Sequence, residues 1–66
     1  MSTNSILKGL RQKKHISKTE VAFKIGCSIM DINNIETEGY PITGELFLRL
    51  LSIYSTKIEE VIFMKH

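Results

Sequence analysis

The sequence predicts a small all-α domain of five short helices, and three observations support this. Apolar residues recur at spacings of three and four along most of the chain, which is the period of an amphipathic helix. Ser or Thr stands repeatedly before such a segment, where a helix start needs a hydrogen-bond acceptor. No stretch alternates long enough to indicate a strand, and the single proline, Pro41, follows the third predicted helix.

The chain is long enough for one domain only. Its 66 residues bury a modest core, so well-packed helices or a partner chain must provide the stability. Cys27 is the single cysteine, which excludes an internal disulfide. Cys27, His15 and His66 are too few and too widely spaced in the sequence to form a structural zinc site. We predict one domain over residues 1–66, with no metal, no cofactor and no evident small-molecule ligand.

Composition also indicates the compartment. No apolar run approaches the roughly 20 residues that span a bilayer. Residues 1–5 lack the basic and apolar regions of a signal peptide. A lone thiol is ordinary in a reducing compartment, so we expect a cytoplasmic protein with no membrane partner.

The first predicted helix, residues 4–14, opens the basic part of the chain. Leu7, Leu10 and Lys14 share one of its faces at spacings of three and four. Residues 8–24 hold six basic side chains against one acidic. This excess favours a polyanionic partner, although a solvated helix surface explains it equally well.

The second helix is predicted to start after Ser17, which forms a capping box with Glu20. In such a box each side chain binds an amide of the first turn. Ile16 and Val21 flank the box as a hydrophobic staple. Gly26 ends the helix, because glycine tolerates a left-handed turn.

The third helix is predicted to start after Ser28, with Asp31 as the shorter partner of a second box. Cys27 and Ile32 form its staple, and Ile32 and Ile35 continue the buried face.

A loop over residues 38–41 precedes two further predicted helices. Thr43 caps the fourth helix, whose staple is Ile42 with Phe47. Its inner face comprises Leu46, Phe47, Leu50 and Ile53 or Tyr54. A capping box over residues 56–59 opens the fifth helix, which has Ile58, Val61 and Ile62 inward.

Residues 18–37 have the layout of a helix-turn-helix. Two helices joined by so short a turn cross steeply. A small residue is needed where they touch, and a residue that takes positive φ is needed in the turn. Ala22 and Gly26 meet these requirements. Five apolar residues fill the angle between the helices: Val21, Ile25, Cys27, Ile32 and Ile35.

With this layout the chain resembles the Cro/CI-type (Xre) helix-turn-helix regulators of phages, plasmids and bacterial chromosomes. The resemblance spans about residues 6–63 and includes Leu7-x-x-Leu10-Arg11, Ile16-Ser17-x-x-Glu20-Val21-Ala22, Ile25-Gly26-Cys27-Ser28, Ile32-x-x-Ile35-Glu36 and Gly39-x-Pro41. It implies a compact five-helix, lambda-repressor-like domain that binds double-stranded DNA. It also implies a transcriptional regulator, a repressor or Cro-like protein, usually dimeric on a two-fold operator.

The resemblance assigns roles to individual residues. Arg11 and Glu36 are expected to pair between the first helix and the end of the third, which orients the third helix in the major groove. Asn34 is expected to bind adenine through both ends of its amide. The base-reading set comprises Ile29, Met30, Asn33, Asn34 and Thr37.

Phosphate contacts are expected at helix starts and in the loop, where amides and the helix dipole attract anions. The set comprises Lys18, Thr19, Ser28, Tyr40 and Thr43. For Ser28 a capping role is favoured over a phosphate contact. Lys18 stands where the family usually has glutamine.

A protein-binding module on the same fold is the alternative function. Residues 28–46 hold four acidic and no basic side chains, and Ile29 with Met30 would suit a docking surface. An enzyme is disfavoured, because Cys27, His15 and His66 do not form a cluster of acid, base and nucleophile.

A homodimer through the C-terminal helices is also predicted. Apart from the residues of the inner faces, more apolar side chains remain than one small domain can bury. An exposed apolar patch often marks an interface. These residues are Leu48, Leu51, Phe63 and Met64. A loosely covered core edge is the alternative explanation.

Overall fold

The computed structural model describes residues 2–54 as four α-helices. They are α1 (Thr3–Lys13), α2 (Lys18–Ile25), α3 (Ile29–Ile35) and α4 (Gly44–Ile53). No strand occurs in this range, so the all-helical prediction is confirmed there. The predicted fifth helix, together with Phe63 and Met64, lies outside the described residues. None of the four helices has the length and apolar character that crossing a membrane requires.

The starts of α2, α3 and α4 are fixed by the predicted caps. The hydroxyl oxygens of Ser17, Ser28 and Thr43 each accept the amide three residues later, all at 3.1 Å. At Ser28 the box is complete, because the Asp31 carboxylate accepts the Ser28 amide at 3.0 Å. These short-range bonds satisfy amides that have no partner within the helix.

The capping box predicted for α2 is formed by only one of its two bonds. The Glu20 carboxylate lies 3.2 Å from Lys24 Nζ, one helical turn on, instead of binding the Ser17 amide. An exposed carboxylate exchanges one such partner for the other at little cost, since surface ion pairs contribute little.

Helix α1 ends in a tight reversal that the sequence did not indicate. The Ile16 amide donates to the Arg11 carbonyl at 3.1 Å, and the His15 amide donates to the Gln12 carbonyl at 3.0 Å. This is a Schellman arrangement, with His15 in the left-handed region at φ 58°. Lys14, predicted on the inner face, is the exposed C-cap, and Arg11 is buried instead.

All four helices contribute to one core. Its buried apolar members are Ile6, Leu7, Leu10, Val21, Ala22, Ile32, Ile35, Leu50, Leu51 and Tyr54. The expectation that Leu51 stays at the surface was wrong, since α4 turns Leu50, Leu51 and Tyr54 inward and leaves Leu48 exposed. Leu46, Phe47 and Ile53 are half-buried against this core.

Candidate nucleic-acid interface

Helices α2 and α3 meet across a short turn that Gly26 makes possible. Gly26 has a φ of 86°, and its amide donates to the Ala22 carbonyl at 2.8 Å. The Cys27 amide donates to the same carbonyl at 2.9 Å. Ala22 is buried, and so is Ile32 of α3. The predicted layout of a small residue, a left-handed glycine and an apolar angle is therefore present.

Helix α3 has one buried and one exposed face. Ile32 and Ile35 are buried in the core. All five predicted base-reading residues are exposed: Ile29, Met30, Asn33, Asn34 and Thr37. The exposed fraction is 46% for Ile29 and 71% for Met30, so neither packs as a core residue of the same molecule. One face of α3 thus packs against the core, and the opposite face presents exposed side chains.

The amides of this exposed face are available to a ligand. Within residues 2–54 no hydrogen bond engages the side chains of Asn33 or Asn34. The Thr37 hydroxyl donates to the Asn33 carbonyl at 2.7 Å, which leaves its oxygen able to accept. Free amide groups can donate and accept together, as the edge of a base pair requires.

The end of α3 is joined to α1 by the predicted ion pair. Arg11 Nε donates to Glu36 Oε2 at 2.6 Å, and Nη2 donates to Oε1 at 3.1 Å. A third bond runs from Nη1 to the Ile16 carbonyl at 2.9 Å. The bonds to Glu36 outweigh burial and raise the pKa of Arg11 above its ordinary value. The pair fixes Glu36, the first residue after α3, relative to α1.

Asn4 makes a second connection, which sequence reasoning missed. Its Nδ2 donates to the carbonyls of Ile35 at 2.7 Å and of Tyr40 at 2.9 Å. Its Oδ1 accepts the Gly39 amide at 3.2 Å. Only 4% of Asn4 is exposed. No signal marked it, because an asparagine in the first turn of a helix is usually a solvated residue.

The predicted phosphate-binding residues lie at helix starts and in the loop. Lys18 and Thr19 begin α2, and Tyr40 is 43% exposed in the loop before α4. Ser28 and Thr43 are exposed, but their oxygens already accept helix amides. For Ser28 the favoured capping role is present. A phosphate contact by either residue would use the hydroxyl proton.

The acidic side chains near α3 are each engaged locally. Hydrogen bonds from Ser28 lower the pKa of Asp31, whose carboxylate completes the cap. Glu36 is paired with Arg11. Glu38 Oε2 accepts the hydroxyls of Ser2 at 2.7 Å and Ser5 at 2.9 Å. All three carboxylates are thus held by groups of the same chain, but of the three only Glu36 is paired with a cation of the described residues.

Cys27 is placed as a packing residue. It is half-buried beside the core and lines a cleft of about 270 Å³. Burial, with a smaller contribution from Asp31, raises the pKa of the Cys27 thiol. A raised pKa disfavours the thiolate, which is the nucleophilic form.

One exposed apolar residue was not singled out from the sequence. Phe23 of α2 is 85% exposed, more than any other large apolar side chain in the described range. Helical periodicity placed Val21 and Ala22 inward and gave no reason to examine the residue that follows them.

Most of the chain matches a known protein family. A family model described as helix-turn-helix matches residues 7–61. No curated protein and no solved structure matches the chain. The matched stretch contains α2, the Gly26 turn, α3 and α4 in full.

Proposed function

This chain belongs to the Cro/CI-type (Xre) helix-turn-helix family of DNA-binding regulators, and we propose that it reads a specific duplex sequence with α3. One observation carries the proposal: α3 buries Ile32 and Ile35, while four of its other side chains, together with Thr37 just after the helix, are exposed. A helix held in this way enters the major groove with its N-terminal residues at the base edges.

The exposed side chains suggest specific roles. Asn34 binds adenine N6 and N7 through both ends of its amide, and Asn33 is the second candidate for such a bond. Ile29 and Met30 pack against thymine methyl groups, which the major groove also presents. Thr37 contributes its hydroxyl oxygen at the C-terminal end of the contact.

Phosphates on either side of the groove would be held by residues outside α3. Lys18 and Thr19 offer a cation and amides at the start of α2, and Thr43 lies at the start of α4. Tyr40 offers its hydroxyl from the loop. Because Glu36 is paired with the Arg11 guanidinium, it repels the DNA backbone less than a free carboxylate would.

A dimer on a two-fold operator completes the proposal. Leu48 is 57% exposed on α4 although its neighbours Leu50 and Leu51 are buried. We infer that this residue and the chain after α4 meet a second copy, so that two α3 helices reach successive turns of one duplex face. Sedimentation that shows only monomer at high protein concentration would contradict the dimer.

The test is selection of bound duplexes from a random pool. We expect a two-fold symmetric consensus. The logarithm of the association constant should fall linearly with the logarithm of the salt concentration. Asn34→Ala should blur the consensus at one position in each half-site. Gln12→Ala, on the exposed part of α1, is the matched control and should leave the consensus unchanged.

A protein-binding module is the second candidate, and the exposure of Met30 and Phe23 favours it. Large apolar side chains at helical positions are a usual docking surface. The two functions differ in salt dependence, since apolar docking does not release counterions from a phosphate backbone. Failure to bind pooled duplexes at low salt would favour the module.

A further inference from the structure

Helix α1 holds the end of α3 at two positions on the same face. Asn4 and Arg11 lie seven residues apart, or two helical turns, and both are at least nine-tenths buried. Arg11 binds the Glu36 side chain, whereas Asn4 binds the Ile35 carbonyl. The two contacts are different in kind, because the second one fixes the backbone itself.

The Asn4 amide is matched to three separate backbone groups. Two N–H donors meet the carbonyls of Ile35 and Tyr40, and the oxygen meets the Gly39 amide. Neither a carboxylate nor an apolar side chain offers two donors and an acceptor together. One side chain therefore determines how the chain leaves α3 and where it reaches Tyr40.

A second set of bonds holds the same loop from the same helix. The hydroxyls of Ser2 and Ser5 both donate to Glu38 Oε2. Gly39, which follows, takes a φ of 88° between the Glu38 and Asn4 contacts. The loop from α3 to Tyr40 is thus attached to α1 at every residue from Glu38 to Tyr40.

We propose that Asn4 is a positioning residue for sequence discrimination, an inference that rests on the proposed function. Asn34 and Thr37 lie within three residues of Ile35, and Tyr40 is itself bound by Asn4. Release of the Asn4 contacts lets the C-terminal end of α3, with Asn34 and the following Thr37, shift relative to the loop. Base contacts need exact alignment and lose more from such a shift than phosphate contacts do.

The experiment compares Asn4→Ala with wild type on the selected duplex and on an unrelated duplex of equal length. We expect the ratio of the two affinities to fall by about tenfold, with binding to the unrelated duplex changed less than about twofold. Asn4→Asp keeps only the acceptor for Gly39, so it should lose discrimination at least as strongly.

Ile6→Val is the control for a general loss of stability. Ile6 is buried in the same helix as Asn4, and it has no proposed part in base reading. All variants are measured well below their melting temperatures. An Ile6→Val protein that loses discrimination as Asn4→Ala does would overturn the inference, as would an Asn4→Ala protein that keeps the full ratio. If Asn4→Ala does not fold in plain buffer, wild type, Asn4→Ala and Ile6→Val are all compared in sucrose, which favours the folded state of each.

The outcomes separate the two proposals. A wild-type protein with no preference among duplexes overturns both the proposed function and the role of Asn4. A wild-type protein that prefers its selected duplex, beside an Asn4→Ala protein with the same preference, overturns the role of Asn4 alone.

Discussion

Arg11 and Glu36 join α1 to the end of α3 by two parallel hydrogen bonds, of 2.6 and 3.1 Å, although 25 residues separate them. The side chains are 11% and 5% exposed, so water competes little for either group. A third bond to the Ile16 carbonyl ties the same guanidinium to the turn before α2. One side chain thus links the three segments that determine where α3 lies.

Removal of Arg11 should be strongly destabilising. Arg11→Ala leaves Glu36 buried without its partner, and breaking such a pair from one side commonly costs about 3–5 kcal/mol. Arg11→Lys retains the charge but not the planar fork, so we expect an intermediate loss. Chemical denaturation measures both variants, and a change below about 0.5 kcal/mol for Arg11→Ala would show that the pair does not stabilise the fold.

The helix starts could be predicted because their chemistry is local. A cap at Ser17, Ser28 or Thr43 depends on an amide three residues away, so the pattern is complete within one turn. The exposed face of α3 followed from the burial of Ile32 and Ile35 at helical spacing. Local periodicity therefore predicted which face of α3 is exposed, whereas the role of that face in DNA contact came from the family resemblance.

Contacts that join distant segments were only partly predictable. Arg11 and Glu36 were assigned through a family resemblance, whereas Asn4 binds groups 31 to 36 residues away and nothing local distinguishes it. Leu51 was misplaced for a similar reason, since its burial depends on how α4 packs against the other helices. Tertiary packing decides such positions, and one sequence does not display it.

The strained residue at the end of α1 offers a gain in stability. His15 has a φ of 58°, which costs an L-residue with a Cβ about 1 kcal/mol and costs glycine almost nothing. After the greater freedom of glycine in the unfolded chain is counted, we expect His15→Gly to stabilise by about 0.5 kcal/mol. His15→Ala keeps the strain and serves as control. A lower melting temperature for His15→Gly than for wild type would contradict this.

The buried Tyr54 should make stability fall at alkaline pH. Burial raises the pKa of Tyr54 to about 12 from its ordinary value of 10.0, and the Glu36 carboxylate adds to the rise. Because the folded pKa is the higher one, the contribution is complete below pH 10 and is lost as the pH rises towards about 12.

The titration is measured in Tyr40→Phe protein, in which Tyr54 is the single tyrosine. Tyrosinate absorbance should appear near pH 12 if the protein is still folded. If the protein unfolds first, the absorbance should appear at a lower pH. Tyr54→Phe should remove the part of the stability loss at alkaline pH that the ionisation of Tyr54 causes. Ionisation of Tyr54 in folded protein at the ordinary tyrosine pKa would disprove the shift.

Lys18 should contribute affinity without sequence preference. At the start of α2 it lies where amides and charge together attract a phosphate. Lys18→Ala should weaken all duplexes alike and reduce the salt slope by about one. Lys8→Ala, exposed on α1, is the matched control and should leave the slope nearly unchanged. Equal slopes for wild type and Lys18→Ala would remove Lys18 from the phosphate contacts.

The most direct test of DNA reading by α3 is a map of amide chemical shifts during titration with the selected duplex. We predict the largest changes at Ile29, Met30, Asn33 and Asn34, with smaller ones at the start of α2. The side-chain amide signals of Asn34 should move with them, and Gln12 on α1 should stay still. Chemical-shift changes confined to α1, or to the exposed face of α4 that carries Leu48, with α3 unaffected, would contradict DNA reading by α3.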